Sequence, residues 1–195
     1  FIKTLTKFTM SEDENTGNYK VIDNVLFDKG NRKLIQYPMS KNTEIYTMPG
    51  EITIIGGYSI YENKNLKYIH MSDNLETIEE KGIYGISSLT TLTLPSKLTT
   101  IKTSGIEKCQ QLRYIVFTGT TLTCEGETMK EIGKRNIYTK ENSVITNCEI
   151  TTISHKYHGI YGINSKWIIT VNEEMIIYGI GEMGTEITWE NNKNE

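Results

Sequence analysis

The sequence predicts a repeat solenoid: an α/β, β-rich chain of short parallel strands, with an inserted β-hairpin and a β-rich closing unit. Three observations predict this fold class. Apolar residues recur at a fixed step of 23 residues, and the segment after each repeating leucine alternates apolar and polar side chains. The composition also favours strands over long helices, because Ile and Thr are abundant and Ala is absent.

The period is visible in four columns of residues. Pro49, Ser72, Pro95 and Thr118 are each 23 residues apart. Three aliphatic columns keep the same step: Ile55, Ile78 and Ile101; Ile60, Ile83 and Ile106; Leu66, Leu89 and Leu112. Helix and strand periods are far shorter, so a step of this length with aliphatic columns indicates a leucine-rich-repeat solenoid.

Each repeat divides into two halves. The first half follows a leucine and alternates like a half-buried strand, which places Leu66, Ile69 and Met71 inward. Stacked repeats then form a parallel sheet. The second half carries a small residue before an isoleucine, as in Gly82-Ile83 and Gly105-Ile106, which predicts a short helical turn or irregular coil that packs closely on its neighbour.

The sequence predicts one insertion within the repeat array and one β-rich unit that follows it. The segment from Tyr19 to Phe27, a turn at Gly30-Asn31, and Lys33 to Pro38 predict a β-hairpin inserted at about residues 15–40. A second hairpin is predicted by Trp167–Val171 and Met175–Gly179. We therefore expect a solenoid over residues 1–125 and a β-rich closing unit over 126–195, which shields the last apolar layer.

Composition and motifs argue against several functional classes. The net charge of −3 argues against nucleic-acid binding, and no apolar run is long enough to insert into a membrane. His155 and His158 lack a third ligand, no nucleophile motif is present, and the glycine pairs lack the context of a phosphate loop. We expect no enzyme activity, metal or cofactor. The chain begins at Phe1 with the repeat frame already running at residue 5, which suggests a piece of a longer protein.

Three cysteines do not suggest a disulfide framework. Cys109 occupies a repeat position that is usually buried, so we expect a core thiol. Whether Cys124 and Cys148 pair with each other is left open by the sequence. None of the sixteen Asn residues begins an Asn-x-Ser/Thr sequon. Thiols without partners and the missing sequons favour an intracellular protein slightly.

The outward positions of the parallel sheet are the predicted binding site. Tyr and Arg are enriched in binding hot spots, so Tyr68, Arg113 and Tyr114 are the predicted anchors. The whole predicted face comprises Lys67, Tyr68, His70, Thr91, Thr93, Arg113, Tyr114 and Val116. The competing interpretation is a solvated sheet face without a partner, with binding through loops or the hairpin instead.

The repeat unit resembles that of the BspA-like leucine-rich repeats, roughly L-x-x-I-x-I-P-x-x-V-x-x-I-G-x-x-A-F-x-x-C-x-x-L. In the first unit, Met48-Pro49, Ile52, Ile55-Gly56, Ser59-Ile60, Asn63 and Leu66 occupy its positions. The family's Ala-Phe pair is replaced by Ser-Ile or Gly-Ile, which suggests a thinner core. The inserted hairpin is similar to one that such arrays often carry.

This resemblance implies a surface antigen or adhesin without catalytic residues. Its partner would be a protein of a host or neighbouring cell, or of the extracellular matrix, and its location the cell surface or the secreted fraction. The alternative is a cytoplasmic repeat scaffold that assembles proteins of its own cell. A signal peptide or anchor in the full-length gene would separate the two. The sequence leaves open the ligand, the total number of repeats, the cysteine pairing and the oligomeric state.

Overall fold

The computed structural model describes residues 2–10, 17–133, 136–140, 143–148, 151–161, 165–170 and 175–179. Their strands are β1 Tyr19–Ile22, β2 Val25–Asp28, β3 Lys33–Gln36, β4 Ile45–Thr47, β5 Ile54–Ile55, β6 Ile60–Tyr61, β7 Tyr68–His70, β8 Thr77–Ile78, β9 Ile83–Tyr84 and β10 Thr91–Leu94. The chain continues through β11 Thr100–Ile101, β12 Ile106–Glu107, β13 Tyr114–Phe117, β14 Thr121–Cys124, β15 Met129–Lys130, β16 Asn136–Lys140, β17 Val144–Thr146, β18 Thr151–Tyr161, β19 Ser165–Thr170 and β20 Met175–Gly179.

The strands wind into about five turns of a solenoid, each of which we call a rung. A complete rung crosses three faces. Face I carries β4, β7, β10, β13, β16 and β18. Face II carries β5, β8, β11, β14 and β17, and face III carries β6, β9, β12 and β15. Neighbouring strands on each face are parallel, so the predicted leucine-rich-repeat solenoid is confirmed.

The strand register reproduces the 23-residue step. Ile55 pairs with Ile78 and Ile78 with Ile101 on face II, while Ile60, Ile83 and Ile106 pair in the same way on face III. These side chains are fully buried, as are those of the leucine column Leu66, Leu89 and Leu112. One rung cannot bury its apolar side chains alone, so stacking of equivalent rungs creates the core.

The second half of each rung contains no helix in the part of the chain that the structure describes. Two backbone positions per rung have positive φ, and they lie on either side of the short face III strand: Tyr58 and Glu62, Lys81 and Gly85, Ser104 and Lys108. A left-handed residue cannot continue a right-handed helix. The expected helical turn or coil is therefore a corner, a two-residue strand and a second corner.

The small residues before the isoleucine column permit the chain to pass closely over the face II isoleucine of the same rung. A Cβ atom on Gly105 would lie 2.6 Å from Cγ2 of Ile101, and one on Gly82 would lie 2.9 Å from Cγ2 of Ile78. Both contacts are shorter than real Cβ atoms show. The glycines are thus required by packing.

The insertion near the start is a three-stranded antiparallel meander. β1 pairs with β2 and β2 with β3, and β3 then pairs in parallel with β5, so the meander extends face II. The predicted turn between β2 and β3 is present. The predicted single strand from Tyr19 to Phe27 is wrong, because Asp23 and Asn24 have φ values of 48° and 62° and form a two-residue turn.

Parallel pairing continues beyond the proposed boundary at residue 125, since β16 pairs with β13, β17 with β14, and β18 with β16. The boundary therefore lies inside the parallel stack. β18, β19 and β20 then form an antiparallel meander that extends face I, and its last two strands are the predicted hairpin. Residues 180–195, which include the polar tail from Glu190 to Glu195, lie outside the described residues.

Candidate functional site

Face I carries the predicted binding residues in two sets of paired strands, β4 with β7 and β10 with β13. Ile45 pairs with Tyr68 and Thr47 with His70 on one side, and Thr91 pairs with Tyr114 on the other. The side chains of Lys67 and Arg113 are exposed, and those of Tyr68, His70, Thr91, Thr93 and Tyr114 are half-buried. Half-buried tyrosines next to exposed cations have the composition of a protein-binding hot spot. That this face binds a partner stays a prediction.

Val116 is wrong as an outward-facing contact residue. Its side chain is only 1% exposed, and it lies in register between Thr93 and Tyr138. Tyr138 is itself 7% exposed, and its ring lies 6.3 Å from the ring of Tyr114 at an angle of 35°. Val116 and Tyr138 are therefore both buried on face I, and Tyr114 lies beside this buried pair.

One cation of the predicted face already has a partner. Lys67 Nζ lies 2.7 Å from Oε1 of Glu44, which occupies the equivalent position one rung earlier. The hydrogen bond to Glu44 raises the pKa of Lys67, and the coulombic attraction of the same carboxylate adds to it. Both side chains are largely exposed, so the pair fixes where charge lies on the face and adds little to stability.

Face III carries an aromatic cluster that sequence reasoning missed. The rings of Tyr61 and Tyr84 are stacked with centroids 5.0 Å apart, and Tyr58 lies 5.8 Å from Tyr61. Lys81 Nζ lies 5.4 Å from the centre of the Tyr58 ring and Lys108 Nζ lies 5.1 Å from that of Tyr84. The signal was in the sequence, because Tyr61 and Tyr84 are 23 residues apart, as are Tyr58 and Lys81.

The lysine ammonium groups of this cluster hydrogen-bond to its tyrosine hydroxyls. Lys108 Nζ donates to the hydroxyl of Tyr84 over 2.6 Å, and this hydrogen bond raises the pKa of Lys108. The hydrogen bond to Tyr58 raises the pKa of Lys81 in the same way. Both ammonium groups therefore stay charged at neutral pH while they lie on aromatic faces, which is a favourable cation–π arrangement.

The cysteines resolve into one disulfide and one buried thiol. Cys124 and Cys148 are bonded across a separation of 24 residues, so the pairing that the sequence left open is present. The bond joins the end of β14 to the residue that lies two positions after β17. Cys109 is free and fully buried as expected, and burial raises its pKa to about 12. Such a thiol is unreactive.

Within the described residues, no group of three His, Cys, Asp or Glu side chains is placed to hold a metal ion. The side chains of His155 and His158 lie outside the described residues. No helix in the described part of the chain is long and apolar enough to cross a membrane. An open recess of about 640 Å³ lies beside the disulfide, between Glu125, Glu127 and Asn147.

Comparison with known proteins identifies the repeat. A family profile described as BspA type leucine rich repeat region matches residues 36–156 in six copies, which is 121 of the 195 residues. The match begins in β3 and ends within β18, so it covers all five rungs. No curated protein sequence matches the chain.

Three solved structures are similar. A leucine-rich repeat protein from Eubacterium ventriosum is 20% identical, with a TM-score of 0.60 over 77% of this chain and 42% of that one. The pneumococcal vaccine antigen PcpA is 20% identical, with a TM-score of 0.45 over 71% of this chain and 48% of that one. A leucine rich cell surface protein from Faecalibacterium prausnitzii is 18% identical, with a TM-score of 0.43 over 59% and 39%. The chain thus spans less than half the length of each, and the first similarity shows the fold alone.

Proposed function

Because the chain belongs to the BspA-type leucine-rich-repeat family, we propose that it is a non-enzymatic, protein-binding module displayed at a cell surface as an adhesin or antigen. Its partner is a protein of a host or neighbouring cell, or of the extracellular matrix. The observation that carries the proposal is the composition of face I, where Tyr68 pairs with Ile45, Tyr114 pairs with Thr91, and the exposed Arg113 lies next to Tyr114.

The dimensions of face I support a protein partner. Parallel strands lie ~4.8 Å apart, so a four-strand face is only about 15–20 Å wide, which is narrow for the ~800 Å² that each partner buries in a standard interface. Face I continues past β13 through β16 and β18 and then into the antiparallel strands β19 and β20. The sheet is therefore wider than the part that carries Tyr68 and Tyr114.

The disulfide supports an extracellular location. Disulfides persist in oxidising compartments and are rare in the cytosol, where thiol systems keep cysteines reduced. The Cys124–Cys148 bond therefore favours the surface module over the intracellular scaffold, while the only described free thiol, Cys109, is buried.

The location is tested by antibodies raised against this chain and applied to intact and permeabilised source cells. Labelling of intact cells is the expected result. Labelling that appears only after permeabilisation overturns the surface module and favours the intracellular scaffold.

The binding face is tested by a triple variant, Tyr68→Ala, Arg113→Ala and Tyr114→Ala. Labelled chain is applied to fixed host cells and to immobilised matrix proteins, and the variant is expected to lose at least tenfold in apparent affinity. The matched control is Glu76→Ala, Thr99→Ala and Lys102→Ala, three exposed positions on face II. Equal binding by both triple variants, each with an unchanged thermal midpoint, excludes face I.

A further inference from the structure

Among the first four rungs, whose strands all lie in the described residues, the backbone ladders are complete except at one place. The first and second rungs are joined on face I by β4 and β7, on face II by β5 and β8, and on face III by β6 and β9. The third and fourth rungs are likewise joined on all three faces. Between the second and third rungs, faces II and III are joined, but no backbone ladder joins β7 to β10 on face I.

Equivalent amides show the interruption directly. The Lys67 N–H donates to the Glu44 carbonyl over 2.8 Å, and the Arg113 N–H donates to the Thr90 carbonyl over 2.9 Å. Thr90 occupies the equivalent position between them, and no backbone hydrogen bond joins its N–H to the rung before it. On face II of the same two rungs, the Thr99 N–H donates to the Glu76 carbonyl over 3.0 Å.

A set of side-chain hydrogen bonds between rungs is also absent at this junction. The buried Asn63 ties the second rung to the first, because its Nδ2 donates to the carbonyls of Pro38 and Lys41 and its Oδ1 accepts from the Leu66 N–H. The equivalent residue one rung later is Ile86, which is buried and has no polar side-chain atom. We call the missing ladder between β7 and β10 the gap. Beside it, the Ser88 hydroxyl donates a hydrogen bond to the Leu66 carbonyl over 2.7 Å and so links the two rungs.

Core packing is also looser at this position. Met71 belongs to the inward column of Met48, Leu94 and Phe117. The other three side chains are at most 4% exposed, whereas Met71 is only partly buried against the core. The side chain that follows β7 is therefore partly accessible beside the gap.

We infer that the solenoid bends at the junction of β7 and β10, with the continuous ladders of faces II and III acting as the hinge. Backbone ladders hold neighbouring rungs at a fixed spacing, so removal of one ladder in three frees one direction of bending. The movement opens and closes face I and changes the distance of Tyr68 and His70 from Thr91, Thr93 and Arg113. The inference does not depend on the proposed function, because its test needs no partner.

The first test is amide hydrogen exchange in the intact chain, followed by NMR. The Thr90 amide is expected to exchange at least tenfold faster than its equivalents Lys67 and Arg113, and faster than Thr99 on face II of the same rungs. Protection of Thr90 equal to that of Arg113 overturns the inference. Ser88→Ala is expected to speed Thr90 exchange further, with Ser87→Ala as the exposed neighbouring control.

The second test separates a hinge from a static gap. Spin labels on Lys67→Cys and Thr90→Cys span the gap, and labels on Glu76→Cys and Thr99→Cys span the same two rungs on face II. A Cys109→Val background keeps labelling specific. We expect the label-to-label distances, measured from dipolar broadening of the spectra, to be more widely distributed across the gap than on face II. Equally narrow distributions at both pairs show a rigid gap and overturn the hinge, even if Thr90 exchanges rapidly.

Discussion

The rings of Tyr61 and Tyr84 lie 5.0 Å apart and within 6° of parallel, one rung above the other. Their separation matches the distance between neighbouring strands, because β6 and β9 pair these two residues directly. Lys108 Nζ lies over the Tyr84 ring and donates to its hydroxyl. Face III therefore gains side-chain contacts between rungs in addition to its backbone ladder.

A double-mutant cycle measures this contact. Tyr61→Ala, Tyr84→Ala and the double variant are expected to give a coupling free energy of about 0.5–1.5 kcal/mol, the range for aromatic pairs beyond their buried area. Urea unfolding supplies the values. As a control, Tyr61→Ala combined with Thr123→Ala, on another face and further along the stack, is expected to be additive. A coupling near zero for the tyrosines would show that the stacking adds nothing to burial.

The isoleucine column of face II is the second place where stability is concentrated. Ile78→Ala is expected to lower the free energy of unfolding by about 2–5 kcal/mol, because it removes fully buried carbons between Ile55 and Ile101 and leaves a cavity. Glu76→Ala, two residues away and exposed, is the control and should change stability by less than about 0.5 kcal/mol. Equal thermal midpoints for both variants would contradict the packing described for this column.

The core columns were predictable because burial acts in the same way in every rung. Ile55, Ile78 and Ile101 face the same kind of neighbour, so the sequence repeats where the environment repeats. The turn at Asp23 and Asn24 occurs once and depends on two residues with positive φ. Both residue types tolerate that conformation, so the signal was present but was masked by the apolar run on either side.

The outward positions of face I were predictable only while the period held. On face I, Val116 pairs with Tyr138, a step of 22 residues instead of 23. Because one residue is missing from this repeat, positions that the 23-residue step predicts to point inward point outward, and the reverse. An extrapolated frame places Thr139 beside Val116, whereas the structure places the large ring of Tyr138 there and leaves Val116 covered. A disulfide is harder still to predict, since it depends on two cysteine positions meeting after a decayed repeat.

The disulfide is expected to stabilise the end of face II. Replacement of both Cys124 and Cys148 by Ser should cost about 3–4 kcal/mol, because the bond closes a loop of about two dozen residues in the unfolded chain. Differential scanning calorimetry with and without a reducing agent checks this value. The reducing agent should lower the melting temperature of the natural sequence and leave that of the double variant unchanged. Equal effects on both proteins would contradict a structural role.

Glu79 gives stability a defined dependence on pH. Burial of this carboxyl raises its pKa, but hydrogen bonds from Lys33 Nζ at 2.7 Å and from the Gly57 N–H at 3.0 Å outweigh burial and leave the pKa below its ordinary value of 4.5. A carboxyl with a lowered pKa in the folded state stabilises the protein above its unfolded pKa. That contribution is lost as the pH falls from about 4.5 through the lower folded value.

The comparison of Glu79→Gln with the natural sequence tests this dependence. Urea unfolding at a series of pH values should show the variant to be less stable at pH 7, with the difference shrinking below pH 4.5 as the natural carboxyl becomes protonated. Glu76→Gln, an exposed position on the same face, supplies the control for a change of net charge. A difference that is the same at pH 3 and pH 7 would show that the ionised carboxylate of Glu79 does not stabilise the contact between the second rung and β3.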